Sequence, residues 1–391
     1  MNHWKPVPSS VATSERPLRT MFLLTSMPVG GAEVLLANLV RRLNRQSIEP
    51  EIACLKELGP LGEVLAKEIP VFSHLIRHKY DVAVVGRLTR LFRQRRIDCA
   101  VTVGAGDKMF WGRLAARRAR LPVVLSALHS TGWPDGVGRL NRLLTPLTDG
   151  FIAVASAHAR YLREVEHFPH DKVFMIPNGV DTQRFVYDPA ARQRVREELG
   201  IPLDAPVVGI VAALRPEKDH ELFMRAAHSL LLRLPQVQFL IVGDGPLRST
   251  LEQLAQQLGL GSQIHFLGAR SDVPELLSAL DLFALTSQNE ASPVSILEAM
   301  ACGRPVIAPR VGSIAETVIP GENGELFDQR TSAVISELWH QVLISPERRD
   351  AMGQAARASV IRAGSLDTMV HGYEQLIRQI ARRKGRGSPT D

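Results

Sequence analysis

Hydrophobic residues along the chain come in short continuous runs, and each run is followed by a segment with helical periodicity. In the first half the runs are MFLLTS, CAVTV, PVVLSAL and FIAVAS, at 21–26, 99–103, 122–128 and 151–156. The rhythm restarts after residue 205, with runs at 207–214, 237–243, 264–268 and 281–287. Continuous apolar strands that alternate with helices are typical of parallel sheets covered on both faces. The pattern therefore predicts two doubly wound α/β domains in tandem.

Turn-forming residues separate the two series. Pro177, Asn178 and Gly179 lie in the segment IPNGVDTQRF, after which a charged helical segment leads into the second series. The predicted parts of the chain are a disordered leader, a first Rossmann-like domain, a second one, and a last helix that fades into a basic tail, at 1–17, 18–185, 186–367 and 368–387.

Composition narrows the class of protein. The 391 residues are 45% hydrophobic and 22% charged, which is ordinary for a soluble, ordered protein. The three cysteines have no metal-binding spacing, which argues against a zinc site and against a disulfide framework. No apolar run reaches the ~18 residues of a membrane span, and the first residues lack the apolar core of a signal peptide. We therefore predict a cytoplasmic protein.

The segment NEASPVSILEAMACGRPVIA combines two carboxylates with the start of a helix. We predict Ser292 as the N-cap and Pro293 as the first helical residue, because proline there lacks only an amide that would be unpaired anyway. Gly303 would end the helix in the left-handed conformation. The free amides around Val294 and Ser295 would point out of the carboxyl edge of the sheet, where anionic ligands bind in such folds.

Two glutamates lie on either side of these amides. Glu290 stands before the helix, and Glu298 lies more than one turn inside it. Ionised carboxylates accept hydrogen bonds from sugar hydroxyls, whereas helix amides favour a phosphate. A nucleotide-diphosphate sugar has this layout of ribose, diphosphate and hexose. The alternative is that both glutamates are ordinary surface residues that stabilise a helix.

Loops after other predicted strands supply further candidates. Arg215 and Lys218 follow the strand at 207–214, where two cations can neutralise a diphosphate; a solvated basic loop is the alternative. Gly243 in VGDGPLR supplies a turn, and Gly268 in FLGARSD allows the backbone to approach a flat base. The GxG of VGDGPLR lacks the third glycine of a dinucleotide fingerprint, so a Rossmann oxidoreductase gains little support.

The first predicted domain carries weaker candidates. Gly30 and Gly31 join its first strand to its first helix, and they allow close approach of a ligand that faces across from the other domain. A plain tight turn is the alternative. His129 lies at another strand end, in LHSTGW, but a lone histidine is usually structural.

In chain order, these motifs resemble one known family. GGAE, IPNGVD, LRPEK, VGDGPL and the two-glutamate segment with its AMACGRPV continuation are similar to motifs of the retaining glycosyltransferases of family 4. The glutamate segment is the most specific of them, and the resemblance extends over almost the whole chain. It implies the GT-B fold, in which two Rossmann-like domains face each other across a cleft, and a nucleotide-diphosphate sugar as donor.

The resemblance implies donor-binding roles for matching positions of the second domain. Glu298 would bind the ribose hydroxyls, and Glu290 would bind the transferred sugar. The diphosphate would be held by cations and helix amides, namely Arg215, Lys218, Val294 and Ser295. The turn glycines Gly243 and Gly268 complete the predicted donor site.

For the first domain, the resemblance implies an acceptor side. Gly30 and Gly31 would approach the donor from across the cleft, and His129 would lie near the reacting carbon. The last helix, from about residue 368, would cross back to this domain.

Two departures from the family's pattern concern the site. Asp219 occupies the position after the phosphate-binding lysine, where the family commonly has glycine. Ala291, Ser292 and Pro293 follow the first glutamate, where Gly-Phe-Pro or a similar sequence is common. Because the second departure touches the sugar pocket, the resemblance leaves the donor sugar open.

The resemblance implies transfer with retention of configuration, without a metal ion or other cofactor, and the chain contains no Asp-x-Asp pair. Cations and helix amides would stabilise the departing diphosphate, with no covalent intermediate on Glu290. The predicted reaction moves a hexose or N-acetylhexosamine, from UDP rather than GDP, to a hydroxyl of a saccharide or lipid-linked acceptor. A sugar-nucleotide epimerase and a non-catalytic nucleotide-sugar-binding module are the alternatives.

Positive charge is concentrated in the first domain. Between Arg87 and Arg120, ten Lys and Arg stand against two Asp, a net charge of +8, whereas the whole chain carries +7. We hypothesise that this surface docks peripherally on anionic lipid headgroups at the cytoplasmic face of a membrane. A solvated charged face is the alternative. Nucleic acid is not expected as a partner, because few aromatic residues interleave with the basic ones.

Overall fold

The computed structural model describes residues 16–28, 30–78, 80–104, 106–129 and 142–385. Within them, seven parallel strands form the first sheet, in the order β3-β2-β1-β4-β5-β6-β7. These strands are β1 (Leu18–Leu24), β2 (Ile48–Cys54), β3 (Val71–Phe72), β4 (Cys99–Val103), β5 (Val123–Ala127), β6 (Gly150–Ala153) and β7 (Val173–Met175).

Six further parallel strands form the second sheet in this part of the chain, in the order β10-β9-β8-β11-β12-β13. They are β8 (Val207–Val211), β9 (Gln238–Val242), β10 (Ile264–Gly268), β11 (Leu282–Ala284), β12 (Val306–Pro309) and β13 (Gly324–Phe327). The two doubly wound α/β domains that the hydrophobic pattern predicts are therefore confirmed.

Helices cover the faces of both sheets. Those of the first domain are α1 (Gly31–Arg42), α2 (Gly59–Leu65), α3 (Val84–Gln94), α4 (Asp107–Ala119) and α5 (Ser156–Glu164). Those that follow are α6 (Pro189–Glu198), α7 (His220–Leu231), α8 (Arg248–Gln257), α9 (Val273–Ala279), α10 (Val294–Ala301), α11 (Ile314–Thr317), α12 (Ser332–Leu343), α13 (Pro346–Ala363) and α14 (Leu366–Arg383). No helix among the described residues is both long and apolar enough to cross a membrane.

The strand order creates a switch point in each sheet, where the chain reverses the direction in which it adds strands. The switch points lie between β1 and β4 and between β8 and β11. In open α/β sheets, ligands bind outside the carboxyl ends of the strands at such a point. The loop with Gly30 and Gly31 follows β1, the loop with Lys218 follows β8, and the loop with Glu290 follows β11. The topology thus places these three loops at the two switch points.

The predicted runs did not include β2, an interior strand of the first sheet, or the edge strands β3, β7 and β13. The sequence of β2, IEPEIAC, interrupts its apolar run with Glu49, Pro50 and Glu51. Glu51 is buried, and its carboxylate accepts two hydrogen bonds from Arg95, at 2.9 and 3.0 Å. A buried carboxylate is tolerated here because it is paired with a bidentate guanidinium.

The last helix packs against the first domain. Tyr373 and Ile377 of α14 belong to the same apolar cluster as Phe22 of β1. The amide of Asn44 donates to Glu374 Oε1 at 2.6 Å. The helix starts two residues before the predicted position, and the predicted residues 386–387 lie outside the described ones. The second half of the chain thereby returns to the first sheet.

The predicted leader falls mostly outside the described residues, which begin at Arg16. Arg16 itself is not part of a disordered leader, because its guanidinium donates to both carboxylate oxygens of Asp98, at 2.8 and 2.9 Å. Arg16 therefore has a defined partner in the first domain.

Candidate active site

Two side chains with predicted donor roles are in direct contact. Lys218 Nζ donates to Glu290 Oε1 at 2.6 Å. Their loops follow β8 and β11, which are neighbours in the sheet, and Glu290 is only 8% exposed. The ammonium gives this buried carboxylate its counter-charge, and it has further N–H donors for an anionic ligand. The pair thus brings together a cation suited to a phosphate and a carboxylate suited to a sugar hydroxyl.

The residue after this lysine explains one departure from the family pattern. Asp219 has a left-handed backbone, with φ +49° and ψ +53°, which glycine adopts freely and other residues rarely do. Its side chain accepts from the amide of Leu222 at 3.3 Å and so caps α7. Its other oxygen accepts from Arg330 at 2.6 Å. These two contacts stabilise an aspartate where the family commonly has glycine.

Arg330 links the loops of the charged pair. Besides Asp219, its guanidinium donates to the carbonyls of Thr286 and Ser287, at 2.7 and 2.8 Å. Thr286 Oγ1 in turn donates to the carbonyl of Asp219 at 2.9 Å. Sequence reasoning missed Arg330, because it lies far downstream of both loops and in no motif. Only the fold brings it under the site.

Gly312 and Ser313 support the Glu290 loop from below. Gly312 has φ +55°, and a Cβ there would lie 1.5 Å from the carbonyl oxygen of Glu290. Ser313 Oγ donates to the carbonyl of Ala291. These residues were also missed, although a Gly-Ser pair in the loop that follows β12 was a signal for a close backbone approach. The position of Glu290 therefore depends on a bare backbone at residue 312.

The helix α10 begins one residue later than predicted. Pro293 is the N-cap with extended geometry, and the helix starts at Val294 rather than at Pro293. Ser292 is not the cap, and its carbonyl accepts from Asn178 Nδ2 of the preceding domain boundary at 3.0 Å. Gly303 takes the predicted left-handed conformation, with φ +67°.

The start of α10 lies against the first domain. The side chain of Val294 packs on the apolar cluster that includes Leu36 and Tyr373. The free amides near Val294 and Ser295 therefore lie at the boundary between the domains, where a ligand in the cleft can reach them. Both partial positive charge and free N–H groups at a helix start favour an anion.

Glu298 is a half-buried carboxylate inside α10. It has no hydrogen bond or ion pair within the described ranges. Burial raises its pKa to about 7, and the nearby Arg184 offsets part of this effect. A carboxylate with unused acceptor capacity is suited to receive two hydroxyls of a ribose.

Arg215 is exposed at the start of the short turn that contains Lys218. Its guanidinium makes no hydrogen bond to the described part of the chain. Unlike Lys218, it is held in place by no partner among the residues that the structure describes, and a diphosphate above the turn would supply one.

Packing of the backbone also explains why glycine occupies positions 243 and 268, besides the predicted role in donor binding. A Cβ on Gly243, which has φ +140°, would lie 2.0 Å from the carbonyl oxygen of Ala212. The amide of Gly243 donates to the carbonyl of Gly268 at 2.8 Å. The two glycines thus bring the ends of β8, β9 and β10 close together. This contact stands beside the predicted donor role and does not replace it.

Gly30 and Gly31 of the first domain differ from Gly243 and Gly268, because their backbone conformation is ordinary and the space around Gly31 is open. Among the described residues, no atom lies within 4 Å of the point where a Cβ on Gly31 would lie, and only the Glu33 side chain lies near that point on Gly30. Neither glycine has positive φ. The open space at Gly31 is where a ligand could approach the start of α1.

His129 lies two residues after β5 and is half-buried, beside a small cavity lined by Phe22, Leu36 and Tyr373. Burial lowers its pKa to about 4, and repulsion by His158 and Lys108 adds to this. The ring is therefore neutral at pH 7. In the described residues no hydrogen bond links it to Lys218 or Glu290.

The basic segment of the first domain is only partly a basic surface. Arg113 is fully buried, where its Nε donates to the carbonyl of Met109 at 3.0 Å, so its inclusion in a docking face was wrong. Arg87 and Arg95 pair with Asp81 and Glu51. Six exposed residues remain on the ends and outer sides of α3 and α4, which we call the arginine face: Arg90, Arg93, Arg96, Arg117, Arg118 and Arg120.

Two family models match the chain in succession. The model "Glycosyltransferase Family 4" matches residues 29–184, and the model "Glycosyl transferases group 1" matches 191–359. Together they span both domains.

Individual relatives agree with these models. A GDP-mannose-dependent alpha-(1-6)-phosphatidylinositol monomannoside mannosyltransferase of Mycolicibacterium smegmatis is 31% identical, over 71% of this chain and 75% of its own length. An N-acetyl-alpha-D-glucosaminyl L-malate synthase of Bacillus anthracis is 26% identical, over 82% of this chain and 84% of its own.

Solved structures share the fold. Anabaena HepE in complex with UDP-glucose superposes with a TM-score of 0.81 at 24% identity, covering 94% of this chain and 100% of that one. The match includes both domains, as expected for the GT-B fold. The chain therefore belongs to family 4 of the glycosyltransferases, and it is a sugar-transferring enzyme with that fold.

Proposed function

We propose that this enzyme moves a hexose or N-acetylhexosamine from a nucleotide-diphosphate sugar to a hydroxyl of a saccharide or lipid-linked acceptor, with retention and without a metal ion. The contact between Lys218 and Glu290 carries the proposal. A cation, a carboxylate and the free amides of α10 lie around one switch point and beside the first domain. This set complements a diphosphate flanked by two hydroxyl-bearing groups.

The same groups account for stabilisation of the leaving group. Negative charge grows on the departing diphosphate, and Lys218, Arg215 and the amides of Val294 and Ser295 would receive it. Lys218 is held in advance by Glu290, so little reorganisation is needed when that charge develops.

Retention follows if the acceptor attacks the face that the diphosphate leaves. The acceptor oxygen forms the new bond to the anomeric carbon as the bond to the diphosphate breaks, and the departing phosphate oxygen takes the acceptor's proton. Glu290 is paired with an ammonium, which lowers its nucleophilicity, so we propose that it binds a sugar hydroxyl and forms no covalent adduct.

The nucleotide base is a matter for experiment. The sequence prediction places UDP before GDP. GDP-mannose is a second candidate, because the Mycolicibacterium smegmatis relative at 31% identity is named as dependent on it.

Binding and turnover of these donors test the proposal together. Thermal unfolding is measured with UDP, GDP and ADP, where saturation at about 100 times Kd should add roughly 2.7 kcal/mol to the free energy of unfolding. Sugar transfer is then measured with and without EDTA, and the anomer of the product is identified by NMR. We expect an unchanged rate in EDTA and a retained anomer.

The alternatives give different results in the same assays. An epimerase would release nucleotide without any acceptor, and a binding module would be stabilised by a nucleotide but turn nothing over. Lys218→Met should abolish transfer, whereas the matched control Lys384→Met, at the far end of α14, should not.

Access to a lipid-linked acceptor is the proposed role of the arginine face. Tyr80 and Val82, which are 78% and 70% exposed, lie just before the start of α3. Basic residues attract anionic headgroups, and exposed apolar side chains in the adjoining segment can enter the interface. We propose peripheral attachment at the cytoplasmic face through this surface.

A further inference from the structure

A carboxylate of the second domain lies at the start of a helix of the first domain. Glu316, in the short helix α11, accepts hydrogen bonds from the amides of Ser156, at 2.8 Å, and Ala157. These are the first two residues of α5, and the preceding N-cap, Ala155, has no polar side chain. The second domain thus supplies the cap that α5 lacks.

A short stretch of chain connects Glu316 to the residues that support the Glu290 loop. Gly312 and Ser313, which support the backbone of Glu290 and Ala291, come immediately before α11. Because Glu316 follows Ser313 by only three residues, we expect a displacement of Glu316 to move the support of the Glu290 loop.

The two domains meet near Glu316 through a few polar contacts. Glu316 is exposed, and the neighbouring hydrogen bond between the domains joins Asn178 to Ser292. A cavity of about 160 Å³ is lined by residues of both contacts. A charge at a helix start is a modest, reversible interaction when it is exposed to water. The contact can therefore form and break without disturbing a packed core.

We propose that Glu316 is a positioning residue that latches the two domains in the arrangement that transfer requires, with the Glu290 loop facing the first domain. The inference rests on the transfer reaction proposed above. The donor groups Lys218, Arg215 and Glu298 all lie in the second domain, so nucleotide binding does not need the latch.

The test compares nucleotide affinity, turnover and shape in Glu316→Ala and Glu316→Gln. We expect an unchanged Kd for the nucleotide in Glu316→Ala, a kcat lowered about 10- to 100-fold by misplacement of the reacting groups, and a larger radius of gyration in X-ray scattering. Glu316→Gln keeps a carbonyl acceptor and should lie between Glu316→Ala and the wild type. An unchanged kcat and an unchanged radius in Glu316→Ala would overturn the proposal.

A matched second variant separates a latch from a simple helix cap. Ala155→Ser places a capping hydroxyl on α5 within the first domain, and serine is a favoured N-cap. In the Glu316→Ala background it should restore slow amide exchange at the start of α5 but not kcat. Recovery of kcat would show that Glu316 only caps the helix. The scattering and exchange results are read without transfer activity, so they stand even if the proposed donor or reaction is wrong.

Discussion

At the residue scale, Asp219 shows how an aspartate can occupy a left-handed backbone position beside the candidate site. A left-handed backbone is unfavourable in free energy for any residue that has a side chain. The cap on α7 and the hydrogen bond from Arg330 offset this unfavourable free energy. Both contacts use the carboxylate oxygens, and neither is available to glycine or alanine. The loop that carries Lys218 is therefore held by a side chain instead of being left free.

Replacing Asp219 by alanine should lower the free energy of unfolding by about 1–2 kcal/mol, because the cap is lost while the left-handed backbone remains. Asp219→Asn keeps a capping oxygen and tolerates positive φ, so it should lose less. Chemical denaturation measures both, with the exposed Asp204→Ala as control. Equal stability of the alanine variant and the wild type would contradict this account of the loop.

Glu298 has a carboxyl group whose charge changes near neutral pH. Its pKa is raised from the ordinary 4.5 to about 7, so the folded protein keeps a proton that the unfolded chain has lost between these values. The free energy of unfolding is therefore not lowered by this group below pH 4.5, and it decreases as the pH rises from 4.5 through 7. Ribose hydroxyls donate to the ionised form, so binding should release a proton.

Nucleotide affinity should therefore rise with pH up to about 7 and then level off, by up to about tenfold per pH unit on the rising side. In Glu298→Gln the affinity should be weak and the dependence on pH should disappear. Calorimetric titration in buffers of different ionisation enthalpy measures both the affinity and the proton release. A steep pH dependence that survives in Glu298→Gln would exclude this assignment. In the exposed control Glu322→Gln the pH dependence should be the same as in the wild type.

At the scale of elements, the site is made by loops that touch one another at the ends of parallel strands. The loop after β12 carries Gly312, which touches the loop after β11, and the loop after β8 is tied to the same segment through Thr286. Each loop has its own local sequence signal. Their mutual contact depends on the order of strands in the sheet.

Two glycines with similar backbone geometry should respond differently to alanine. Gly312→Ala adds a Cβ that overlaps the carbonyl of Glu290, whereas Gly303→Ala, at φ +67°, meets its nearest atom only at 3.7 Å. Both variants carry the strain of a left-handed alanine, of the order of 1 kcal/mol. Only Gly312→Ala should also displace Glu290 and lower kcat/KM.

Steady-state kinetics and thermal unfolding of the two variants make this comparison. A loss of kcat/KM in Gly303→Ala as large as in Gly312→Ala would show that strain alone, and not displacement of the Glu290 loop, is responsible.

At the scale of the whole molecule, several contacts hold the two domains together besides the chain segment that connects them. The helix α14 packs on the first domain, Val294 packs on the same apolar cluster, and Glu316 caps α5. The arginine face lies on α3 and α4, on the first domain alone. A membrane bound there would contact the first domain and not the second.

Reversing the charge of Arg117 and Arg118 to Glu should weaken binding to anionic vesicles by more than tenfold, since each basic residue near such a surface contributes about 1 kcal/mol. Vesicle sedimentation at low and high salt measures the effect, and neutral vesicles should bind weakly throughout. Arg225→Glu with Arg362→Glu, exposed on the second domain, makes the same change in net charge and should leave binding unchanged. Binding that is insensitive to salt would refute the docking role.

The sequence by itself determined the class of fold, because apolar runs followed by helical periods can bury both faces only in parallel sheets. It also determined the loops that carry Lys218 and Glu290, since strand ends and helix starts are local signals. It did not reveal β2, whose buried Glu51 needs Arg95, nor Arg330, Gly312 and Glu316. Those residues act through partners that are distant in sequence, and only the tertiary structure decides which distant groups meet.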